Sequence, residues 1–498
     1  MLKLYNSVRQ KLANNKTINK LIIVYAFTVL SYQILYLIIP FRQAVESLRL
    51  EFISPLLAVI GFFIFAWDLL IDRTFFKTKY SYLLIGLIAV MIISSLINAE
   101  YGLVDNIKAI IWQISQLLVI FPLYKRVSKE EIAKILKIYF PFVSIIFVVA
   151  NLVSLFQYFA SIGYNTRYDG GLVRQGFLEG RLFGIFGSPH FASLFMLILA
   201  IASVYFAVSS DKKTVKILYG AAMIIYFLYA VASGTRSVIV AAACTAFIVV
   251  LLWAYNRYSF KKCVKPLLKS AICVVMSICV AVGTVVVFNV SDKAMKGIIR
   301  IYADSTDNDT SGTDENTGEI MLDRADVSNE NISNHRFEIW EDYFTVATDR
   351  IDTLIFGMAP GSYMVSIREN FPNLFVVKYI KENYPLMYSK ELIYDTHNAY
   401  IGAFVMAGIL GVILLMIFLV CGFVRTVRYI AKNKKVSLSV YTILAVVVLI
   451  LAASFFESDL FFRCTSTSVI FWLVTGILLM VTEPTNKIQS ESDNLNNK

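Results

Sequence analysis

Long apolar runs alternate with short polar segments along almost the whole of this chain. A run of about 20 apolar residues, folded as an α-helix, crosses the roughly 30 Å hydrocarbon core of a membrane. The runs that reach this length are 19–41, 52–71, 80–98, 104–124, 132–160, 189–209, 214–232, 235–255, 267–289, 397–424, 438–457 and 459–482. The pattern therefore predicts an all-α integral membrane protein with about twelve transmembrane helices.

The polar segments divide the chain into four parts. Residues 1–289 hold a polar N-terminal tail and the predicted helices one to nine, and residues 290–396 form one large loop. Residues 397–482 hold the predicted helices ten to twelve, and residues 483–498 form a polar tail. No small-residue cleavage motif follows the first apolar run, so we interpret it as a retained membrane span rather than a secretory signal peptide.

Composition and charge agree with a membrane protein. The chain is 58% hydrophobic and 16% charged, whereas soluble proteins carry roughly 25% charged residues. The formal net charge is +11, but the basic residues gather between the apolar runs, which the positive-inside rule explains better than nucleic-acid binding. The basic segments are 72–79, 125–131, 210–213, 256–266 and 425–437. The rule places both termini in the cytoplasm and the loop 290–396 outside.

The large outer loop begins with an acidic part, residues 304–330. Nine acidic residues face Arg324 alone there, in a context rich in Ser, Thr, Asn and Gly. This composition is typical of a solvated, flexible insertion. Asp307 and Asp309 suggest calcium ligands, but the full spacing of a calcium-binding loop is absent.

The rest of the outer loop, residues 334–394, is predicted to be ordered. Phe337, Trp340 and Phe344 fall at helical spacing and indicate an amphipathic helix. Arg336 lies in its first turn, where a cation opposes the helix dipole, which slightly favours a role other than helix support. The aromatic residues that follow suit both sugar binding and the membrane interface.

The cysteines predict neither a disulfide framework nor a metal centre. None of the six lies in the outer loop, and no Cys/His spacing typical of a metal site occurs. We therefore expect no cofactor and no metal.

Residues that suit chemistry gather at the predicted outer membrane surface. The chain has three histidines: His190 opens the sixth predicted helix, His335 precedes the loop helix, and His397 opens the tenth predicted helix. Arg181 precedes the sixth helix and Arg236 opens the eighth. Arginine forks bind phosphate oxygens bidentately, and a neutral imidazole can take a proton from an attacking hydroxyl. Together these groups suit displacement of a lipid-linked diphosphate by a sugar hydroxyl.

Structural roles remain open for the same residues. Arg181 and Arg236 also suit anchors whose guanidinium groups reach the lipid headgroups. His190 and His335 also fit ordinary interfacial or loop residues. For His397 taken alone, a structural role is as open as a catalytic one.

Two acidic residues lie between the last two predicted helices. Glu457 and Asp459 suit helix caps or partners of an arginine. A carboxylate at the boundary of the membrane is also a functional candidate. Both interpretations remain open.

Several short motifs, taken in order, resemble the O-antigen ligase and O-antigen polymerase superfamily over residues 180–415. His397-Asn398, followed by Gly408-x-x-Gly411, resembles its His-Asn-x9-Gly-x-x-Gly signature. The other motifs are Arg181-x-x-Gly184-x-Phe186, Ser233-Gly-Thr235-Arg236, and Arg336-x-x-x-Trp340 followed by Gly357 to Gly361. The chain departs from the family at Thr235 and at Ser188-Pro189-His190, where Pro-Asn is usual.

The resemblance implies an all-helical glycosyltransferase of the C-type architecture. Its substrates would be an undecaprenyl-diphosphate-linked oligosaccharide donor and a glycan or lipid-linked acceptor, used without a metal outside the bacterial cytoplasmic membrane. His397 would be the base, with Arg181 and Arg236 as catalytic contacts to the diphosphate. Further substrate contacts would be Arg336, Asn398, His335, Trp340 and His190. Partners would include membrane lipids, a chain-length regulator and a flippase of the same pathway, but no nucleic acid.

Three functions fit these features. The first is a polysaccharide repeat-unit polymerase for capsule, exopolysaccharide or O-antigen. The second is a ligase that transfers the finished glycan to lipid A core or another acceptor, and the shared motifs do not separate the two. The third is a transporter or flippase of lipid-linked glycans, but no internal repeat and few charges in the middle of the apolar runs support it.

Overall fold

The computed structural model describes residues 15–168, 171–259, 266–306 and 335–483. The polar N-terminal tail, the acidic segment 304–330 beyond Thr306, and the C-terminal tail beyond residue 483 lie outside the described residues. Helices dominate the described residues, as the hydropathy pattern predicts, and the all-α membrane class is confirmed.

The first half of the chain forms a bundle of apolar helices. Their bounds are α1 Lys16–Leu35, α2 Ile39–Ser47, α3 Ile53–Trp67, α4 Ser81–Ile97, α5 Leu103–Ile114, α6 Lys129–Phe159, α7 Pro189–Ser209, α8 Lys213–Ala232, α9 Arg236–Ser259 and α10 Pro266–Thr306. Helix α3 continues as a π-helical turn over Asp68–Asp72, and α5 continues as π and 3₁₀ turns to Lys125.

The remaining helices belong to the loop and to the end of the chain. Five short helices follow the undescribed segment: α11 Arg336–Thr348, α12 Ile351–Phe356, α13 Tyr363–Asn370, α14 Phe375–Asn383 and α15 Pro385–Ser389. The bundle then resumes with α16 Ala399–Lys432, α17 Leu438–Ala453 and α18 Ser466–Val481. Within the described ranges, 9 helices are long and apolar enough to cross a membrane, and α4, α17 and α18 are shorter apolar helices.

Several helix boundaries differ from the sequence-based prediction. The first apolar run, 19–41, is interrupted after Leu35, and the run 397–424 continues as a helix to Lys432. Helix α10 does not end near residue 289 but continues to Thr306. Its polar part keeps a helical stripe, because Phe288, Met295 and Ile299 are all buried. The sequence places only residue 458 between the last two helices, but in the structure the irregular segment 454–465 separates α17 from α18. That segment proves to carry the charged centre of the candidate site.

A small antiparallel sheet between α6 and α7 is absent from the sequence-based prediction. Its strands are β1 Gly163–Tyr168, β2 Gly171–Leu178 and β3 Arg181–Gly184, in the order β1-β2-β3. Phe177 and Leu182 are buried, and the ring of Phe177 packs edge-on against Tyr158 of α6. Packing of one face against the bundle fixes the register of a short sheet. The sheet therefore delivers Arg181 to the end of the bundle.

The loop helices are fixed to the bundle at Gly357 and Gly408. The Met358 amide donates to the Val405 carbonyl at 2.7 Å, and the Ser94 hydroxyl donates to the Gly357 carbonyl at 2.9 Å. Gly408 has φ +62°, which interrupts α16 and lets the α12 backbone approach. We call the end of the bundle that holds residues 335–396 the loop end.

Candidate functional site

Five distant segments of the chain meet at the loop end around one carboxylate. The carboxylate belongs to Glu457, in the segment 454–465. Around it lie His190 from the start of α7, Ser237 from the start of α9, Arg336 from the start of α11, and His397 just before α16. We call these five residues the Glu457 cluster.

Both oxygens of the Glu457 carboxylate have partners within the cluster. Oε2 lies 3.2 Å from Nδ1 of His397. Oε1 lies 3.5 Å from Nη2 of Arg336 and 3.7 Å from Nδ1 of His190. Arg336 is itself anchored, because its Nη1 donates to the Phe456 carbonyl at 2.7 Å. Nδ1 of His190 also lies 2.9 Å from the Ser237 hydroxyl.

The backbone around His397 is held firmly. The Asn398 side chain caps α16, because its Oδ1 accepts from the amides of Tyr400 at 2.9 Å and Ile401 at 3.1 Å. Trp340 donates its indole N–H to the Thr396 carbonyl at 3.0 Å. His397 itself has φ +45°, a left-handed conformation that is uncommon for a residue with a side chain. The geometry thus gives Asn398 and Trp340 clear roles in fixing the position of His397.

Electrostatics couple the protonation of His397 to the charge of Glu457. Burial lowers the pKa of His397, but the hydrogen bond and negative charge of Glu457 outweigh it, so the net pKa is raised. Burial raises the pKa of Glu457, but the hydrogen bond from His397 and the positive charge of Arg336 oppose this effect, and the net pKa is lowered. Glu457 is therefore ionised at neutral pH, and it stabilises a proton on His397.

Arg181 and the turn before α9 lie together beside this cluster. Nε of Arg181 donates to the Ser233 carbonyl at 3.2 Å, and Nη2 donates to the Thr235 hydroxyl at 3.4 Å. The next residue, Arg236, is exposed at the start of α9. His190 interacts electrostatically with both Arg181 and His397, which brings the two predicted arginine motifs and the predicted base into one neighbourhood.

A second set of charged residues, Asp395 and Arg463, holds the segment 454–465 in place. Nη1 of Arg463 lies 2.7 Å from Oδ2 of Asp395, and Nη2 donates to the Tyr363 hydroxyl at 2.7 Å. The Ser458 hydroxyl also donates to Asp395 at 2.7 Å. Burial raises the pKa of the nearby Asp459 to about 7, although Arg463 opposes this shift. These contacts link Asp395, two residues before His397, to the segment that carries Glu457.

Aromatic rings lead from His397 to His335. The ring centroid of Tyr394 lies 5.4 Å from that of His397 and 5.1 Å from that of Tyr379. The Phe375 ring follows at 5.3 Å from Tyr379, and the His335 ring lies 5.1 Å from Phe375. We call Tyr394, Tyr379 and Phe375 the aromatic row. All of these rings are partly exposed, so the row presents a surface that begins at the candidate base.

The sequence-based site lacked its central carboxylate. From the sequence, Glu457 fits a helix cap, a partner of an arginine or a functional group, and no sequence motif points to Asp395 or Arg463. The sequence feature that points to Glu457 is the pair of acidic residues between two apolar runs, since ionisable residues within or next to membrane spans rarely lack a partner. Among the described residues, no group of three or more His, Cys, Asp or Glu side chains has a geometry that would hold a metal.

Residues 221–416 match the sequence model of a protein family described as O-antigen ligase. We call residues 221–416 the O-antigen ligase domain, after the family model to which they are similar. The match confirms the resemblance to the O-antigen ligase and polymerase superfamily, whose members are glycosyltransferase-like enzymes. A search of curated proteins found no match to the chain. The O-antigen ligase domain includes Arg236, Arg336 and His397, whereas Arg181 and Glu457 lie outside it and are brought to it by the fold.

Proposed function

We propose that this protein is a polysaccharide repeat-unit polymerase of the bacterial cytoplasmic membrane. It transfers a glycan from undecaprenyl diphosphate to a sugar hydroxyl of an acceptor glycan on the outer face of the membrane. The observation that carries the proposal is a histidine, His397, held in a fixed pose beside a carboxylate and three arginine-bearing segments at one end of an apolar bundle. The O-antigen ligase domain supports the same class of reaction.

The proposed chemistry is one displacement. Nε2 of His397 takes the proton of the acceptor hydroxyl while that oxygen attacks the anomeric carbon of the donor. The bond between this carbon and the diphosphate oxygen breaks, and its electron pair leaves with the diphosphate. Arg236, which is exposed, and Arg181 beside it are the proposed contacts to the departing diphosphate, because guanidinium groups hold phosphate oxygens without losing their charge.

Arg336 has a different proposed part. Its guanidinium is engaged by Glu457 and by the Phe456 carbonyl. It therefore contributes positive charge next to the reacting groups, while two arginines elsewhere are better placed to grip the diphosphate. His335 and the aromatic row are the proposed contacts for acceptor sugars, since aromatic faces combine apolar area with polar edges. His190 is argued separately below.

The proposed orientation puts the loop end outside the cell. The positive-inside rule supports this orientation, because basic residues lie at the opposite end. Among them is Arg126, which pairs with Asp68 and Asp72. Lys125 also lies 2.9 Å from Glu483 near the C-terminal tail. Reporter fusions at both termini should read as cytoplasmic, and a reporter placed at residue 320 should read as external. An external signal from either terminus would overturn this orientation.

The test of function is the glycan made by a strain that lacks the gene and carries a variant copy. With His397→Ala, single repeat units should accumulate on the lipid carrier, because no base remains to activate the acceptor. Glu391→Gln is a matched control, since Glu391 is exposed and pairs with Arg368 away from the cluster. Wild-type chain length from His397→Ala at normal protein level would contradict the proposal.

A ligase is the second candidate, because the matched family is described as O-antigen ligase. A ligase uses the same displacement with lipid A core or another acceptor in place of the growing glycan. The same strain separates the two functions. Long chains that remain on the lipid carrier indicate a lost ligase, whereas single units indicate a lost polymerase.

A further inference from the structure

We propose that Glu457 is the positioning residue for His397: it holds the imidazole proton on Nδ1, so that Nε2 is free to receive the proton of the acceptor hydroxyl, while a neutral His190 steadies the same carboxylate. This inference rests on the proposed function. It assigns roles to two residues outside the O-antigen ligase domain, Glu457 and His190.

The first step is the tautomer of His397. An ionised carboxylate only accepts hydrogen bonds. Because Nδ1 of His397 lies 3.2 Å from Oε2 of Glu457, the hydrogen in this contact belongs to Nδ1. A neutral imidazole carries one N–H, so Nε2 then has the free lone pair that a base needs. Without Glu457, either tautomer is available and part of the population has its proton on the wrong nitrogen.

The second step is the rigidity of the carboxylate. Oε1 of Glu457 faces Arg336 at 3.5 Å and His190 at 3.7 Å, while Oε2 faces Nδ1 of His397 at 3.2 Å. Arg336 is fixed in turn by the Phe456 carbonyl. The Glu457 side chain is only 16% exposed, so solvent does not compete strongly for its oxygens. One carboxylate oxygen thus faces the anchored guanidinium of Arg336 and the ring of His190, and the other is directed at the base.

The third step is the charge state of His190. Its side chain is 7% exposed, and its Nδ1 already faces Glu457 and the Ser237 hydroxyl. Its Nε2 is buried without a hydrogen-bond partner among the described residues. An imidazolium would carry a second N–H, at Nε2, for which the described residues offer no acceptor, and burying an N–H without an acceptor is costly. His190 therefore stays neutral, and His397 is the histidine of the cluster that changes charge.

The fourth step is the balance of charge through the reaction. When His397 receives the hydroxyl proton, it becomes an imidazolium beside the Glu457 carboxylate. The carboxylate stabilises that cation without taking its proton, as the carboxylate of a catalytic triad does. The negative charge lost from the acceptor appears on the departing diphosphate. The proton of His397 then passes to water before the next cycle.

These steps predict an unusual response to Glu457→Gln. The plateau rate should fall by about a hundredfold, since a mispositioned base loses most of a general-base contribution of roughly 10² to 10⁴. The acid limb of the pH–rate profile should at the same time move to lower pH, because the raised pKa of His397 depends on the Glu457 charge. A side chain with only a structural role would lower the rate without moving that limb.

The measurement uses the full chain in lipid nanodiscs. The donor and acceptor are the lipid-linked oligosaccharide that the His397→Ala strain accumulates, and chain extension is followed by gel between pH 5 and 9. Glu457→Asp should recover part of the plateau rate and return the acid limb towards its wild-type position. His190→Asn, which keeps a polar side chain at the start of α7, should leave the acid limb where it is in the wild type.

The outcomes separate the inference from the function on which it rests. An unchanged rate and profile in Glu457→Gln, with His397→Ala inactive, would overturn the positioning role and leave the function standing. A shifted acid limb in His190→Asn would overturn the neutral state of His190. An active His397→Ala would instead overturn the proposed function. Thermal unfolding of each variant identifies a loss of activity that comes from misfolding, and Glu457→Asp then carries the test.

Discussion

Replacing Gly408 by alanine tests how the loop is attached to the bundle. Gly408 has φ +62° and ψ −173°, a backbone conformation that is essentially restricted to glycine. A Cβ atom there would lie 2.3 Å from the Ile355 carbonyl oxygen and 2.6 Å from the Phe356 amide nitrogen. These are backbone atoms of α12, which cannot turn away as the end of a side chain does.

The expected cost follows from two contributions. A non-glycine residue in such a conformation is strained by about 1 to 3 kcal/mol. An extra methyl group in a closed contact adds about 1 to 3 kcal/mol more. Gly408→Ala should therefore destabilise the protein by about 2 to 6 kcal/mol, unless α12 moves away from α16. In either case the residues that precede α16, including His397, should lose their fixed position.

Gly422→Ala is the matched control, because Gly422 lies in the same helix and a Cβ atom there would meet nothing within 4 Å. Alanine is favoured over glycine inside a helix by up to about 1 kcal/mol, so this variant should be as stable as the wild type or more so. The assay is thermal unfolding of both full-length variants in the same nanodiscs, followed by glycan extension. Equal unfolding temperatures and equal extension for the two variants would refute the reasoning.

Two further predictions concern the charged residues. Arg236→Lys should lower glycan extension by about tenfold or more, because lysine cannot replace a bidentate phosphate contact. The control is Arg257→Lys, at the other end of α9. Equal activity of the two variants would instead make Arg236 a lipid anchor. Asp395→Asn should destabilise the protein by about 2 to 3 kcal/mol at pH 7 in thermal unfolding, because Arg463 loses its charged partner. Burial raises the pKa of Asp395, but Arg463 and Ser458 lower it below its usual value on balance, so this stability is present above about pH 4 and is lost as the pH falls further. A wild-type protein whose stability does not respond to acid differently from Asp395→Asn would contradict that assignment.

The hydropathy pattern anticipated the helices well, because the membrane requirement for internal hydrogen bonding leaves few alternatives to an apolar helix. It failed where apolar residues do not form a helix. Phe455, Phe461 and Phe462 count as apolar, yet they lie in the irregular segment 454–465, and Phe462 has φ +61°. It also failed at the polar end of α10. There Asp292 and Lys296 form an ion pair along the helix at 3.0 Å, which a hydropathy average does not recognise.

The sheet and the Glu457 cluster were beyond the pattern for a different reason. The strands β1 to β3 contain glycines and charged residues, which are unfavourable for strand prediction from sequence. Their stability depends on packing against α6, as in the contact of Phe177 with Tyr158. Glu457 is separated from His397 by 60 positions in the chain, so no local spacing links the two. The order of the motifs identifies the residues that touch substrate in the proposed reaction. It does not identify Glu457, because the contact of Glu457 with His397 exists only in the folded chain.

The placement of the three histidines argues that this end of the bundle is a functional surface. His190 and His397 both face Glu457, and His335 lies at the far end of the aromatic row that begins at His397. A titratable ring is costly to bury beside a membrane unless it has a partner. A purely structural use of these rings would be served by phenylalanine or leucine at lower cost. Glu457 offsets that cost at two of the three positions, because its carboxylate faces both His190 and His397 at the loop end of the bundle.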